Sequence, residues 1–521
     1  MKNLILLLLS VLLISCVSVK KHNKKHEILI SPEKLKQDVD FAYQKLQKLH
    51  PNLYWYISKD SLNYKFDSLK TTIKTPLKPN EFYRKLAPVI SQIKEGHLRL
   101  LPLDKRLTRK EIKNLKEQKG LLSRYNFLLE GEKIFVKDNS DRIPNMNVGT
   151  EILKIKDIPA KELLERYRPF VNSDGENQTF QKYILARRWP SYFTAEHGIL
   201  DSVKIEAQYE NEIKTFYLKR EKFPKSEKKK EESANKKITK SEKGKTKDYN
   251  IVTKSFNRDL QFPVKDSTVA YMKIKTFSGT FSRRFYKESF AILKKSPAKV
   301  LIIDMRDNLG GSLSEINNLY SYLVAKDFRF IKDIEITSRS AIFQADYISE
   351  FPLLTKPVAV IGYPLYLLGT ALSTKKMANR YYLRNNGIFS NRKPKENNFK
   401  GKIYVLVNGS SFSAASILPS KLKDEKRAFL VGEETGGAND GTVAGRYSTK
   451  KLPGSKLYLP IGLMLIQPDI EFTHTKKGVL PDKEIVPTTQ EILQKKDIQL
   501  EWIMEDIKVN LPHKALQPDV T

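Results

Sequence analysis

From Pro32 onward, apolar residues fall at Leu35, Val39, Ala42, Leu46 and Leu49, the spacing of one buried helical face. Ser31-Pro32-Glu33 reads as an N-cap, a first-turn proline and a first-turn acid, and the helix ends near His50-Pro51. Leu62, Phe66, Leu69 and Ile73 predict a second helix. A third, capped by Asn80, sets Phe82, Leu86, Val89, Ile90 and Ile93 on one face despite Pro88. Residues 29–100 therefore read as a helical N-terminal domain, its last helix running out at Glu95-Gly96-His97. Between 122 and 222 the pattern shortens to strands and turns, as in Tyr125–Leu129, Lys133–Val136 and Val203–Ala207. Residues 223–250 are nearly all Lys, Glu, Ser, Asn and Thr; with so little apolar surface to bury, they predict a disordered linker. From 251 to 510 apolar runs alternate with helical patterns. Val269–Ile274, Val300–Ile303, Val358–Ile361 and Ile403–Val407 read as strands, and Phe281–Leu293, Ser314–Val324 and Ala414–Leu422 as helices. That alternation predicts a layered α/β domain.

The first residues change the picture of where the chain works. Met1-Lys2-Asn3, an apolar run from Leu4 to Ile14, and Ser15-Cys16 form a secretory signal too short for a comfortable membrane span. Leu13-Ile14-Ser15-Cys16 also resembles a bacterial lipobox, which implies lipidation of Cys16 and anchoring on the exported side of a bacterial envelope membrane. Cys16 is the only cysteine, so no intramolecular disulfide can form. The formal net charge is +34. It lies largely in diffuse lysine, in Lys20–Lys25 and in the 225–247 run, none of it interleaved with base-stacking aromatics. The charge therefore fits solubility and anionic envelope surfaces better than nucleic acid.

Two strand-to-loop segments carry the chemistry. In Val405-Leu406-Val407-Asn408-Gly409-Ser410-Ser411-Phe412-Ser413-Ala414-Ala415-Ser416 a β-type run breaks at Asn-Gly into hydroxyl residues and a helix start, where backbone N–H groups converge. In Ile303-Asp304-Met305-Arg306-Asp307-Asn308-Leu309-Gly310-Gly311 paired glycines permit close backbone approach. With Val431-Gly432-Glu433-Glu434-Thr435-Gly436-Gly437 and Gly478-Val479-Leu480-Pro481-Asp482, these segments resemble the tail-specific (C-terminal processing) serine proteases of family S41. The resemblance implies a ClpP/crotonase-like layered α/β protease domain, polypeptide substrates, no cofactor and an acyl-enzyme on Ser413 rather than on Ser410, Ser411 or Ser416. The oxyanion donors would be backbone N–H groups of Ala414, Gly310 and Gly311. Residues 148–165 resemble the second half of a PDZ module, although a plain structural β-domain fits the middle region as well.

A serine needs a base to take its proton. The lysine typical of the family would align with Ala438, beside Asn439, and Ser416 stands where the family has a glutamate. A second branch, resembling the tricorn core protease, takes histidine from an upstream Asp-Gly-His segment. Glu95-Gly96-His97 is similar to it, which makes His97 the candidate base, with a near-neutral pKa suited to the task. His50, His197 and His474 are weaker rivals, and Lys421 or Lys423 would serve only if buried with a depressed pKa. No acid aligns ahead of Gly478, which leaves the orienting carboxylate open between Glu434, Glu471 and others. Neither a His-Glu-x-x-His pattern nor a cysteine pair supports a metal site, and no glycine-rich loop carries the lysine of a phosphate-binding loop. The alternative to a membrane-anchored endopeptidase is a protease-derived envelope protein that binds peptide or lipid without turnover.

Overall fold

The structure is a computed structural model that describes residues 18–510 apart from 119, 140–145, 223–246, 251–254, 280, 349–350, 352–354, 384–389 and 472–474. The signal segment with Cys16, most of the expected linker and His474 lie outside the described residues. The helical pattern near the N-terminus folds as read. α1 (Pro32–Leu49) buries Leu35, Val39, Ala42, Leu46 and Leu49, and α2 (Lys59–Thr71) buries Leu62, Phe66 and Leu69. Each fully buried leucine contributes about 1.5–3 kcal/mol relative to exposure. α3 (Pro79–Ser91) begins two residues earlier than expected. Its N-cap is Lys78, whose N–H donates to Glu81 Oε2 at 2.8 Å, and Pro79 takes the first helical position. Asn80 sits inside the first turn and accepts from the Leu103 N–H at 3.3 Å instead.

The middle module is an antiparallel sheet of β1 (Asn126–Glu130), β2 (Lys133–Asp138), β3 (Glu151–Ile155), β5 (Ser202–Tyr209) and β6 (Glu212–Lys219), in that order, with β4 (Ile158–Pro159) beside β3. α4 (Ala160–Tyr167) and the long α5 (Thr179–His197) pack on it around Trp189. The sequence pattern missed α5, whose apolar positions are interrupted by Arg187-Arg188 and Pro190.

The C-terminal half is built on a seven-stranded sheet in the order β18-β15-β14-β10-β9-β8-β7. β9 (Val269–Ile274), β10 (Val300–Asp304), β14 (Lys402–Val407), β15 (Phe429–Gly432) and β18 (Lys483–Glu484) run parallel, as strands joined by crossovers do. β7 (Lys247–Asn250) and β8 (Ser255–Gln261) add antiparallel at the edge, so the last four residues of the expected linker are a strand. β10 is buried at every position. Leu301 and Ile303 face one layer, with α6 (Ser282–Lys295), α7 (Leu313–Tyr320) and α9 (Ala414–Asp424), while Val300 and Ile302 face α10 (Ile498–Asn510). A second sheet carries β11 (Ile334–Ile336), β12 (Thr374–Met377), β13 (Arg380–Leu383) and the hairpin β16 (Thr442–Lys451)–β17 (Tyr458–Ile466).

Val358–Ile361, read as a strand, is instead the first turn of α8 (Lys356–Leu372). Ala359, Tyr363, Tyr366 and Thr370 recur at helical spacing on its inner side, where Tyr366 stacks on Tyr347 at 4.2 Å and Arg446 reaches Thr370. A short apolar run alone cannot distinguish the two structures.

The helical region is not independent, because its apolar side chains and those of the C-terminal half form one continuous core. Buried Asp38 of α1 accepts from the Gly454 and Ser455 N–H groups at 2.6 Å each, which docks α1 on the β16–β17 turn. Thr337 adds a bond to the Leu49 carbonyl at 2.9 Å. This fold-back brings Glu95 and His97 beside Thr442 of β16.

Candidate functional site

β14 ends in a turn whose polar side chains are mostly spent on holding it. Asn408 Oδ1 accepts from the Asp307 N–H at 3.0 Å and the Ser410 N–H at 3.1 Å. Ser411, fully buried, donates to the Met305 carbonyl at 2.9 Å, and Ser416 donates to the Ser413 carbonyl at 2.8 Å. Ser413 differs from Ser411 and Ser416. It caps α9 at φ 58°, ψ −122°, is half-buried, and its hydroxyl has no protein partner among the described residues. A non-glycine residue held there stores about 1–3 kcal/mol of strain, a cost found mainly at functional positions.

The glycine motifs explain themselves by contact. A Cβ on Gly310 (φ 95°) would stand 2.6 Å from the Phe412 carbonyl oxygen and 2.8 Å from Ser413 Cβ. A Cβ on Gly437 would stand 2.9 Å from the Ser413 backbone nitrogen and 2.2 Å from Ser416 Oγ. Gly310 was expected to be an oxyanion donor, but its N–H points at Asn308 Oδ1 at 2.8 Å. Its part in the turn is close approach. The Ala414 N–H, first in α9 and next to Ser413, donates to no protein acceptor among the described residues, and neither does the Gly311 N–H, which lies against Phe277 and Ser278. The remaining motif residues are structural. Asp304 is buried under Arg306 (2.7 Å), Lys273 (2.8 Å) and Tyr271 (2.5 Å), and Arg306 reaches on to Asp497 at 2.7 Å. Although burial opposes ionisation, Arg306 and Lys273 together hold the Asp304 carboxyl well below the usual range.

His97 follows α3 through Lys94, which takes a left-handed φ of 58°. Its ring stacks on Phe412, the residue before Ser413, with centroids 4.6 Å apart. Nδ1 lies 2.8 Å from Thr442 Oγ1, and that hydroxyl lies 3.3 Å from Glu95 Oε1. Glu95 Oε1 also accepts the Val443 N–H at 3.4 Å, so this oxygen takes the threonine hydrogen and the threonine lone pair accepts Nδ1–H. This pattern fixes the tautomer with a bare Nε2, the form a general base needs. His97 and Ser413 do not hydrogen-bond directly in this conformation.

Behind the imidazole lies a buried acid pair. Asp174, from the middle module, accepts from the Gly96 N–H at 2.6 Å and the Ala438 N–H at 3.1 Å, and hydrogen-bonds Glu95. Burial pushes Glu95 up out of the carboxylate range, and burial plus the Glu95 charge pushes Asp174 up as well, so the pair retains a proton near neutrality. Burial depresses the His97 imidazole below its ordinary value, the Asp174 charge opposing and Arg99 adding to the fall. His97 is thus neutral at neutral pH.

The rivals fall elsewhere. His50 is enclosed in the helical core, where burial pushes it down to about 4, and His197 packs on Phe193 at 4.4 Å. Lys421 is held by Glu425 at 2.8 Å and the Asp469 carbonyl, and Lys423 by the Leu480 carbonyl at 2.6 Å and Asp482 at 3.0 Å. Glu434 accepts from Asn177 at 3.0 Å and the Gly478 N–H at 2.7 Å, and Glu471 is exposed, so neither touches His97. The carboxylate that does reach it, Glu95, sits two residues upstream in the same motif. Thr442 and Asp174 carried no local signal at all.

Residues 268–485 match the sequence profile of peptidase family S41. This is an S41-family serine peptidase domain. The whole chain superposes on mature CPAF with a TM-score of 0.60 at 15% identity, covering 94% of this chain and 99% of that one. The complex of mature CPAF with lactacystin gives 0.59 at 15% identity, over 92% and 98%. The photosystem II D1 C-terminal processing protease gives 0.40 at 14% identity, over 89% and 98%. At these identities the likeness is one of fold. No curated protein sequence matches the chain.

Proposed function

We propose that this S41 peptidase is an endopeptidase acylated on Ser413, with His97 as general base and Thr442–Glu95 as the group that orients and charges it. The observation that carries the reading is the strained, unpartnered Ser413 beside the free Ala414 N–H, with the Gly311 N–H in the neighbouring turn also unspent and an imidazole stacked on the adjoining residue. A bound peptide carbonyl would sit against those N–H groups, which stabilise the oxyanion as Ser413 Oγ adds to carbon. The Oγ proton passes to His97 Nε2. The imidazolium that forms is stabilised through Thr442 by the Glu95–Asp174 pair, then protonates the departing amine, and water repeats the sequence to release the acyl group. Contact between Ser413 and His97 requires a local adjustment on substrate binding, as catalytic hydrogen bonds commonly tighten only in the complex.

The basic tether and signal pattern support export and a lipid anchor on Cys16 in a bacterial envelope, and the sheet of the middle module supports a PDZ-like capture role. His97→Ala should slow peptide hydrolysis by about 10²–10⁴-fold, the usual contribution of a general base. Hydrolysis at the wild-type rate by folded His97→Ala protein would remove His97 from the mechanism.

A further inference from the structure

A cavity of about 850 Å³ opens beside His97 and Phe412, between α3, α4, α5 and the catalytic domain. Its floor is aromatic, with Tyr83, Phe170, Phe180 and Tyr192 among the rings. Its walls carry four arginines, one glutamate and no lysine, in a chain with 71 lysines and only 22 arginines. That bias is the first observation. Lysine is the chain's general solubilising cation, whereas a guanidinium presents a planar fork that matches a carboxylate with two parallel hydrogen bonds.

The second observation is that three of these forks are unspent. Glu196, the single acid, already accepts from Arg166 and from the Tyr167 hydroxyl at 2.6 Å each. Arg84, Arg99 and Arg188 have no carboxylate partner among the described residues, and Arg188 bonds only the Tyr192 hydroxyl. Arg99 and Arg188 line the cavity together with Tyr83 and Tyr192. Arg99 follows His97 by two residues and both line this cavity, which puts positive charge in the same chamber as the imidazole. Like charges gathered over an apolar floor repel one another, and a bound anion relieves that repulsion.

We propose that this cavity is a substrate subsite for a polypeptide segment that presents a carboxylate beside an apolar or aromatic side chain, the carboxylate held by Arg99 and Arg188. The proposal rests on the peptidase reading above and adds the substrate class to it. The ring floor takes the side chain, and the arginine wall rejects lysine and arginine at the same position by like charge. The carboxylate can come from an acidic side chain or from the peptide's own C-terminus.

The test uses internally quenched peptides matched in sequence, with Glu, Gln or Lys next to a fixed Phe, each made with a free and an amidated C-terminus. The full chain should cleave carboxylate-bearing peptides with kcat/KM about 10–100-fold above their amide counterparts, the range for a hydrogen-bonded ion pair. Preference lost on Glu-to-Gln exchange assigns the side chain as source, and preference lost on amidation assigns the C-terminus. In the Arg99→Gln/Arg188→Gln double variant the acidic-to-neutral ratio should collapse toward one. Equal cleavage of all peptides, or a ratio the double variant leaves unchanged, overturns the subsite. Should no peptide be cleaved and no serine probe react, the peptidase reading fails separately. Fluorescence anisotropy of the same peptides on Ser413→Ala protein then still decides whether carboxylate binding depends on the arginines.

Discussion

Replacing Thr442 by valine removes one hydroxyl and keeps the β-branched shape that suits its strand. Thr442 is 3% exposed, so no water replaces the lost oxygen freely. Two bonds disappear, His97 Nδ1 to Oγ1 at 2.8 Å and Oγ1 to Glu95 at 3.3 Å. With Nδ1 unpartnered, the tautomer is no longer fixed and the imidazolium loses its link to the acid pair. A hydrogen bond involving a charged group contributes about 1.5–3 kcal/mol. If that stabilisation is realised in the transition state, acylation should slow by roughly 10–150-fold. The assay is the second-order rate of fluorophosphonate reaction with Ser413, paired with kcat and KM for a quenched peptide. The loss should fall on kcat with KM little changed, because Thr442 acts through His97. Thr442→Ser, which restores the hydroxyl, should recover most of the rate. An unchanged acylation rate in a folded Thr442→Val protein, or a Thr442→Ser variant as slow as valine, would refute the relay.

Other outcomes follow from the same geometry. Ser413→Gly should abolish acylation yet raise stability by about 1–2 kcal/mol, since it releases left-handed strain at a modest entropic cost; urea midpoints measure this. The acidic limb of kcat/KM should lie below the ordinary histidine value, because burial and then Arg99 disfavour imidazolium, and Arg99→Gln should move the limb upward. Glu95 and Asp174 have folded pKa values raised to about 7 and about 8. Their contribution to stability is therefore fully present below the unfolded carboxylate pKa and lost as pH rises through the folded values. Wild-type protein should lose stability between pH 5 and about 8, and Asp174→Asn should narrow that difference.

What the sequence disclosed and what it withheld divide along physical lines. The three N-terminal helices, β9, β10, β14 and α9 were legible because each pairs a clear period with punctuation by Pro, Gly or Asn. α8 was misread because a four-residue apolar run suits either structure, and α5 was missed because Arg187-Arg188 and Pro190 break its stripe. In the site, Ser413, His97 and the glycine turns stood in local motifs. Gly310 was misjudged as a donor, since the side chain of Asn308 that takes its N–H is a matter of rotamer rather than of order in the chain. Thr442 and Asp174 lie far from His97 in sequence, and only the docking of α1 on the hairpin and of the middle module on residues 434–438 brings them together.

The central claim is that Ser413, and none of its neighbouring serines, forms the acyl-enzyme. A fluorophosphonate probe incubated with the full chain, followed by digestion and mass spectrometry, tests it directly. The account predicts one adduct on Ser413, its formation slowed in His97→Ala and absent in Ser413→Ala along with peptide hydrolysis. An adduct on Ser410, Ser411 or Ser416, or hydrolysis that survives in Ser413→Ala, would contradict it.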